Sequence, residues 1–267
     1  MTKISTDISE SAYGNSKMAI RPAACRSSDD GTRSLPPAGP NSGSCRNLQF
    51  CGSRNNHRRA RCPPRTNRGS AESPSLHCLP DGGPPEADGI RIQDGKLILK
   101  GSRAPLSDVR ARNILVRRQC NFCFKAEAEF EVPELCDGQE AGITCYYDEN
   151  TWVCFYVSKE KENYFLQVKE HIGKEDISHT KEELINPVGE QYILGVETRY
   201  LRRQFYYGKI GKERKNVTEL TNVYYLCDEG ISMGKRFTGA MVGMYGYAGD
   251  NSLFIKFETF HYQELPE

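Results

Sequence analysis

Three glutamates at alternate positions, Glu127, Glu129 and Glu131, come nearest to a catalytic set in this sequence. Enzymes that cleave glycosidic bonds use two carboxyl groups, about 5–5.5 Å apart in retaining enzymes and about 6.5–9.5 Å apart in inverting ones. If the segment is a strand, alternate side chains share one face, so these carboxylates form a row. A row of like charges is typical of a solvated sheet face, and we favour that interpretation over a catalytic one.

The pair Cys120-x-x-Cys123 has the spacing of half a zinc site or of a redox motif. On a strand, residues three apart point to opposite faces, so the two thiolates are not expected to bind one metal ion. The chain has 11 cysteines, an odd number at irregular spacing, which does not suit a disulfide framework. We interpret Cys120, Cys145 and Cys154 as small buried hydrophobic residues.

The sequence has no P-loop and no dinucleotide-binding glycine motif. Residues 230–234 (GISMG) have the spacing G-x-S-x-G, but glycines inside strands more often mark bulges and close backbone approach than a catalytic turn. A set of aromatic residues leaves two interpretations open. Exposed rings could stack on sugars, whereas in alternating strands about half of them must face the core. We favour the core, with glycan or domain contact as the alternative. The set is Tyr146, Tyr147, Trp152, Phe155, Tyr156, Tyr206 and Tyr207.

The glutamates and cysteines lie in a segment that reads as one long strand, residues 115–132. From Cys120 onward every even position is small or apolar, over thirteen residues. A period of two predicts a strand with one buried face and one wet face, which is typical of an antiparallel sheet.

The rest of the C-terminal part also indicates short strands separated by turn residues. Asp94-Gly95 predicts a tight hairpin turn within residues 90–99. Residues 170–186 read as a long loop or a weak strand pair. Further strands are predicted at residues 141–147, 152–157, 164–169, 192–198, 204–207, 224–226, 238–245 and 253–262. Roughly ten to twelve strands without a helix predict an all-β sandwich or jelly roll.

The chain of 267 residues divides into two parts of unlike composition. Residues 1–86 hold 10 of the 14 prolines but only two of the 26 aromatic residues, Tyr13 and Phe50. A segment with so few aromatic residues can bury little surface, so we predict that residues 1–86 are disordered and that residues 87–267 form the folded domain. The net charges are +5 and −4. They give no argument for nucleic-acid binding.

The beginning of the chain shows no continuous apolar segment of the kind found in secretory signals, and no stretch is long enough for a membrane span. We therefore expect a cytoplasmic protein without a membrane partner.

Five short motifs follow one another in order between residues 87 and 267. They are VRRQ at 116–119, EAGI at 140–143 with YYD at 146–148, CDE at 227–229, FTGAMVGM at 237–244 and FETFHY at 257–262. In this order they resemble the C-terminal concanavalin A-like domain of glycoside hydrolase family 43 β-xylosidases. The resemblance implies a concanavalin A-like β-sandwich that accompanies a five-bladed catalytic propeller acting on xylo-oligosaccharides.

The resemblance implies an accessory role, because 86 residues are too few for a propeller and no position matches the family's catalytic residues. Its partners would be a catalytic propeller domain, a xylo-oligosaccharide or a second copy of the chain. The alternatives are a free-standing carbohydrate-binding module and, least favoured, an enzyme that uses the three glutamates. Residues 1–86 would be a disordered arm or the product of a truncated or mis-framed gene.

The resemblance also implies roles for three residues. Phe237, with Arg236 beside it, would lie at the edge of the substrate pocket, or Phe237 would be a core residue that opens a strand. Glu258 stands where the family usually has Asp, at a position where carboxylates can bind a structural calcium ion. No other cofactor is expected.

Overall fold

The computed structural model describes residues 85–231, 233–234 and 239–267, together with the backbone of four two-residue strands earlier in the chain. These strands are β1 (Ala19–Ile20), β2 (Arg46–Asn47), β3 (Gly52–Ser53) and β4 (His77–Cys78). The disorder predicted for residues 1–86 concerns positions that otherwise lie almost entirely outside the described residues. In the part of the chain that is described, no helix is long and apolar enough to cross a membrane.

Thirteen longer strands follow within the described residues. They are β5 (Ile90–Gln93), β6 (Lys96–Lys100), β7 (Leu115–Arg118), β8 (Cys123–Glu131), β9 (Glu140–Asp148), β10 (Thr151–Glu160), β11 (Asn163–Ile172), β12 (Glu175–Leu184), β13 (Gln191–Arg199), β14 (Arg202–Lys209), β15 (Lys215–Leu220), β16 (Met241–Tyr247) and β17 (Phe254–Glu264). One 3-10 turn, η1 (Tyr224–Leu226), lies where a short strand was predicted, so that prediction was wrong.

The strands form two antiparallel sheets that pack face to face, which confirms the predicted all-β sandwich. One sheet has seven strands in the order β12-β11-β10-β9-β16-β7-β4. The other runs β15-β14-β13-β8-β17-β6-β5, and β2 pairs with β17 beside it. Each inner face is apolar at alternate positions, and these side chains form the main core, from Phe124 and Phe130 on β8 to Phe155 on β10.

The long strand predicted at residues 115–132 is two strands that belong to different sheets. The chain leaves the seven-stranded sheet after Arg118 and enters the other sheet at Cys123. At the corner between them Cys120 is exposed and the Phe122 side chain is 71% exposed. The even positions before Phe124 were therefore wrongly predicted as buried, because at a corner the alternation of side chains no longer maps onto one sheet.

The predicted hairpins are confirmed. Asp94 and Gly95 have positive φ of 51° and 76°, as their turn between β5 and β6 requires. Strands β9 and β10 meet at a short polar turn. Residues 170–186, predicted as a long loop or a weak strand pair, hold the end of β11 and one long strand, β12, which pairs with β11 over its whole length. Strand β15 was not predicted, because its sequence KNVTEL carries no apolar alternation and its side chains are mostly exposed or half-buried.

A second apolar cluster covers the outer face of the seven-stranded sheet. Tyr146, Trp152 and Tyr156 pack there with Met241 and Tyr245, beneath residues of the segment 101–114. The main core and this cluster together hold five of the seven predicted aromatic residues. Tyr206 is buried outside both clusters with its hydroxyl on Glu127, and Tyr207 is half-buried against the main core. The core interpretation of that set is therefore confirmed for five of its seven residues.

Candidate functional site

Arg117 of the VRRQ motif is part of a stack of two arginine side chains and two aromatic rings at one end of the sandwich. The Arg117 guanidinium lies 3.5 Å above the centre of the Tyr262 ring. Tyr262 stacks on Phe124 with ring centres 4.7 Å apart. The Arg203 guanidinium lies 5.9 Å from the centre of the Phe124 ring. We call these four residues the arginine–aromatic stack, and it joins β7, β8, β14 and β17 through cation–π contacts.

Both arginines of the stack are buried without a carboxylate partner among the described residues. Arg117 is 3% exposed and Arg203 is 4% exposed. Arg203 donates to the backbone oxygens of Tyr200 and Arg202 and to the side-chain oxygen of Gln119. Burial lowers the pKa of both guanidinium groups from the ordinary value of 12.5. Arginine side chains nevertheless stay protonated in proteins. Within the described residues, neither arginine has a carboxylate in direct contact with its guanidinium.

An exposed apolar surface lies beside the stack. It consists of Phe122, Tyr200, Leu201 and Tyr224, which we call the end surface. Phe122 and Tyr200 stack with ring centres 6.0 Å apart. The Tyr200 N–H donates to the Phe122 oxygen and the Val223 N–H donates to the Leu201 oxygen, so backbone hydrogen bonds join the three segments. Among the described residues, three of the four exposed aromatic side chains lie here, and Phe254 is the fourth.

The residues assigned to the pocket edge, Arg236 and Phe237, lie outside the described residues. The first described residues after them, Gly239 and Ala240, lie near the stack. The Gln119 N–H donates to the Ala240 oxygen at 2.9 Å. A side chain at Gly239 would collide with the guanidinium of Arg118. The pocket-edge role of Arg236 and Phe237 stays a prediction.

The three glutamates each have a different partner on the outer face of the eight-stranded sheet. Glu127 accepts a hydrogen bond from the Tyr206 hydroxyl at 3.1 Å, and Glu129 accepts one from Thr259 at 3.0 Å. Glu131 pairs with Lys256 at 3.3 Å. Each carboxylate thus joins β8 to another strand of the sheet, Glu129 and Glu131 to the adjacent β17 and Glu127 to β14 beyond β13. These contacts support the non-catalytic interpretation of the row.

Glu258, the candidate for calcium, is in contact with two nitrogen donors. Its Oε1 accepts hydrogen bonds from Lys96 Nζ at 2.5 Å and from Gln191 Nε2 at 3.4 Å. Within the described ranges, no group of three or more His, Cys, Asp or Glu side chains could hold a metal ion. The calcium assignment stays a prediction, and it would require Lys96 to move away.

The cysteine predictions are partly corrected. Cys145 and Cys154 are buried as predicted, and burial raises the pKa of both thiols. Cys120 is exposed, at the corner between β7 and β8, and only Cys123 lies on a strand. The argument that strand geometry separates the two thiols therefore started from a wrong assumption about Cys120.

A charged group that the sequence did not reveal lies on the outer face of the seven-stranded sheet. Lys169 is 3.5 Å from Glu140 and 5.4 Å from the centre of the Trp152 ring. His171 stacks on Trp152 with ring centres 4.8 Å apart. The Tyr245 hydroxyl donates to Glu140, and burial raises the pKa of that carboxyl from its ordinary value of 4.5. The EAGI motif supplies Glu140, but no pattern in the sequence points to its partners.

A cleft of about 350 Å³ opens between the two sheets at the opposite end of the sandwich. Tyr192 and Tyr207 stack within its lining, with ring centres 6.3 Å apart. Around them the Tyr207 hydroxyl and Lys215 Nζ both donate to Glu182 at 2.6 Å. The cleft therefore combines aromatic rings with charged donors and acceptors, which are the groups that bind small polar ligands.

By its fold the protein is a two-sheet antiparallel β-sandwich, with a stack of arginines and aromatic rings at one end. The family model described as "Beta xylosidase C-terminal Concanavalin A-like domain" matches residues 84–263. The chain therefore belongs to the family of β-xylosidase C-terminal concanavalin A-like domains, as the order of its motifs predicted.

Similar proteins support this assignment. A "Putative beta-xylosidase" of Escherichia coli (strain K12) is 26% identical over 181 residues, which are 66% of this chain and 33% of the relative. The GH43 protein BlXynB of Bacillus licheniformis is 26% identical, with a TM-score of 0.63, over 68% of this chain and 35% of its own. The fold also matches a xylan beta-1,4-xylosidase of Bacillus halodurans, at 22% identity and a TM-score of 0.62, over 80% of this chain and 43% of that one. The chain thus spans between about a third and two fifths of these relatives.

Proposed function

We propose that the β-sandwich of this chain is an accessory, non-catalytic domain that packs against a glycoside hydrolase catalytic domain. The observation that carries the proposal is the coverage of the relatives. A domain that fills 33% of a putative β-xylosidase leaves two thirds of that protein for another domain. Xylan-derived oligosaccharides would be the substrate of that domain, and the sandwich would act through domain packing, oligomer contact or closure of the substrate pocket by Phe237 and Arg236.

The carboxylates of the sandwich support the non-catalytic part of the proposal. A general acid needs a proton at neutral pH and a free path to the leaving group. Glu129 and Glu131 instead contact Thr259 and Lys256 on the adjacent β17, and Glu127 contacts Tyr206 on β14, across β13. Removing one of them would expose a hydroxyl or an ammonium group rather than open a pocket.

The proposal predicts that the purified 267-residue chain does not hydrolyse nitrophenyl β-xyloside. The physical reason is that its glutamates serve as partners of other side chains and not as an acid and a nucleophile across a bound sugar. Release of nitrophenol is the measurement, and the full-length Escherichia coli relative under the same conditions is the comparison. Turnover by the chain that a single glutamate substitution abolishes would overturn the proposal.

A second candidate function is carbohydrate binding in the cleft at the opposite end of the sandwich. The observation that favours it is Tyr207, the one member of the aromatic set that is not buried, which lies in the lining of this cleft. Sugar rings pack their C–H faces on aromatic rings, while hydroxyl groups bond to charged side chains. Lys209, Lys215 and Glu213 lie around the tyrosine pair and supply these polar groups.

The second candidate predicts that xylobiose binds the full chain and that Tyr207→Ser weakens this binding about tenfold, as loss of one aromatic contact of about 1.4 kcal/mol does. Isothermal titration calorimetry with xylobiose is the measurement. Tyr224→Ser, which removes an exposed tyrosine from the other end, is the matched control and should bind as the wild type does. Absence of xylobiose binding by the wild-type chain would exclude this function.

A further inference from the structure

We propose that the end surface, with the arginine–aromatic stack beside it, is where the catalytic domain docks, and that the catalytic domain presents acidic side chains to it. This inference rests on the proposed function, and it adds the location of the contact and the charge of the partner.

The first argument is the concentration of apolar surface. Phe122 is 71% exposed, Tyr200 56% and Tyr224 47%. Single exposed apolar residues are ordinary on protein surfaces, but a group of stacked rings is typical of a protein–protein contact, where aromatic residues are enriched. The rings of Phe122 and Tyr200 are held together by the hydrogen bond between their backbones, so docking would not have to order them first.

The second argument is charge. Arg117 and Arg203 are buried, Arg118 is exposed, and none of the three forms an ion pair with a described residue. A docked partner removes water from this end, and without water the electrostatic interactions of unpaired charges become stronger and their burial becomes more costly. Carboxylates on the partner would compensate these charges and would direct its approach.

The same charges decide between two possible partners. A second copy of this chain, docked through the same surface, would bring three more arginines toward the first three. Like charges facing each other disfavour such a contact. A catalytic domain is free of this constraint, and in the relatives it would be part of the same chain, since the sandwich accounts for about a third of their length.

The test measures binding of the full 267-residue chain to the Escherichia coli relative from which the matched region of 181 residues has been deleted. Biolayer interferometry gives the dissociation constant at low and at high salt. The double variant Phe122→Ser, Tyr200→Ser removes the stacked rings, and Arg118→Glu reverses the exposed charge. Phe254→Ser, at the opposite end of β17, and Arg103→Glu, in the exposed loop after β6, are the matched controls. Circular dichroism verifies that every protein is folded.

We expect the double variant to bind at least tenfold more weakly than the wild type, since paired aromatic residues in an interface commonly dominate its affinity. Arg118→Glu should weaken binding several-fold at low salt and less at high salt, because salt screens the charge. The controls should remain within twofold of the wild type. Binding that persists unchanged in the double variant and in Arg118→Glu would overturn the location of the docking surface, but it would not contradict the proposed function. Failure of the wild-type chain to bind the folded partner would instead contradict the proposed function.

Self-association is the remaining outcome. If sedimentation shows that the chain forms dimers, and if the double variant makes it monomeric, the end surface binds a second copy. That result would contradict the choice of a catalytic domain as partner, while the non-catalytic role of the sandwich would stand.

Discussion

Phe124→Ala is expected to lower the free energy of unfolding by about 4 kcal/mol, as large buried rings do when they are truncated. Phe124 has no exposed surface and lies in the main core. Its ring stacks on Tyr262 and faces Arg203, so the substitution leaves a cavity and separates the two halves of the arginine–aromatic stack. Urea denaturation followed by circular dichroism measures the change.

Phe122→Ala is the control for this experiment. The residue has the same type and lies only two positions earlier, but its side chain is 71% exposed at the corner between the two sheets. We expect a loss below about 0.5 kcal/mol, as for surface substitutions in general. Comparable losses at the two positions would mean that one strand runs through both residues, and would contradict the corner after Arg118.

Gly243→Ala is expected to destabilise the sandwich by about 3 kcal/mol, at the upper end of what overpacking costs. Gly243 lies in β16 between β9 and β7, and an added Cβ would collide with the backbone oxygen of Leu115 and approach the backbone of Val116. Backbone atoms within a paired strand cannot move aside as the end of a flexible side chain can. The same denaturation experiment measures the effect.

Gly138→Ala is the matched control. This glycine lies in a turn with φ of 76°, and no atom is within 4 Å of the position of its Cβ. The cost should be about 1 kcal/mol, which is the strain of a positive φ in a residue with a side chain. A loss at Gly243 no greater than the loss at Gly138 would show that β7 and β16 can separate to admit a methyl group.

The local patterns in the sequence predicted most of the fold correctly. Asp94-Gly95 predicted a hairpin because its turn needs positive φ, a property of those two residues alone. The alternation from Phe124 to Glu131 predicted β8 and its buried face. The corner at residues 119–122 was missed, because Cys120 and Phe122 are apolar and continue the alternation although neither is packed.

The arginine–aromatic stack depends on contacts between distant strands, which local sequence patterns do not reveal. The VRRQ motif belongs to an ordered set of motifs, but no local pattern explains why it contains two arginines. The reason lies in contacts of Arg117 with Tyr262, and of Arg203 with Phe124, between strands far apart in the chain. The glycines of the motifs have the same kind of explanation: a side chain at Gly142 would collide with the backbone of β10.

The prediction of the family came from the order of the motifs, and the family match over residues 84–263 confirmed it. The glutamate row was predicted as a solvated face, and in the structure each of its carboxylates has a side-chain partner. The end surface could not be predicted, because it combines residues from the corner, from the β13–β14 turn and from η1, and only the fold brings them together.

The most direct test of the account is the hydrolytic activity of the full chain by itself. Nitrophenol release from nitrophenyl β-xyloside should not exceed that of a variant in which Glu127, Glu129 and Glu131 are all replaced by Gln, because the account assigns these carboxylates to strand contacts. Release at the rate of the full-length Escherichia coli relative, lost in the triple variant while circular dichroism shows an intact fold, would contradict the account.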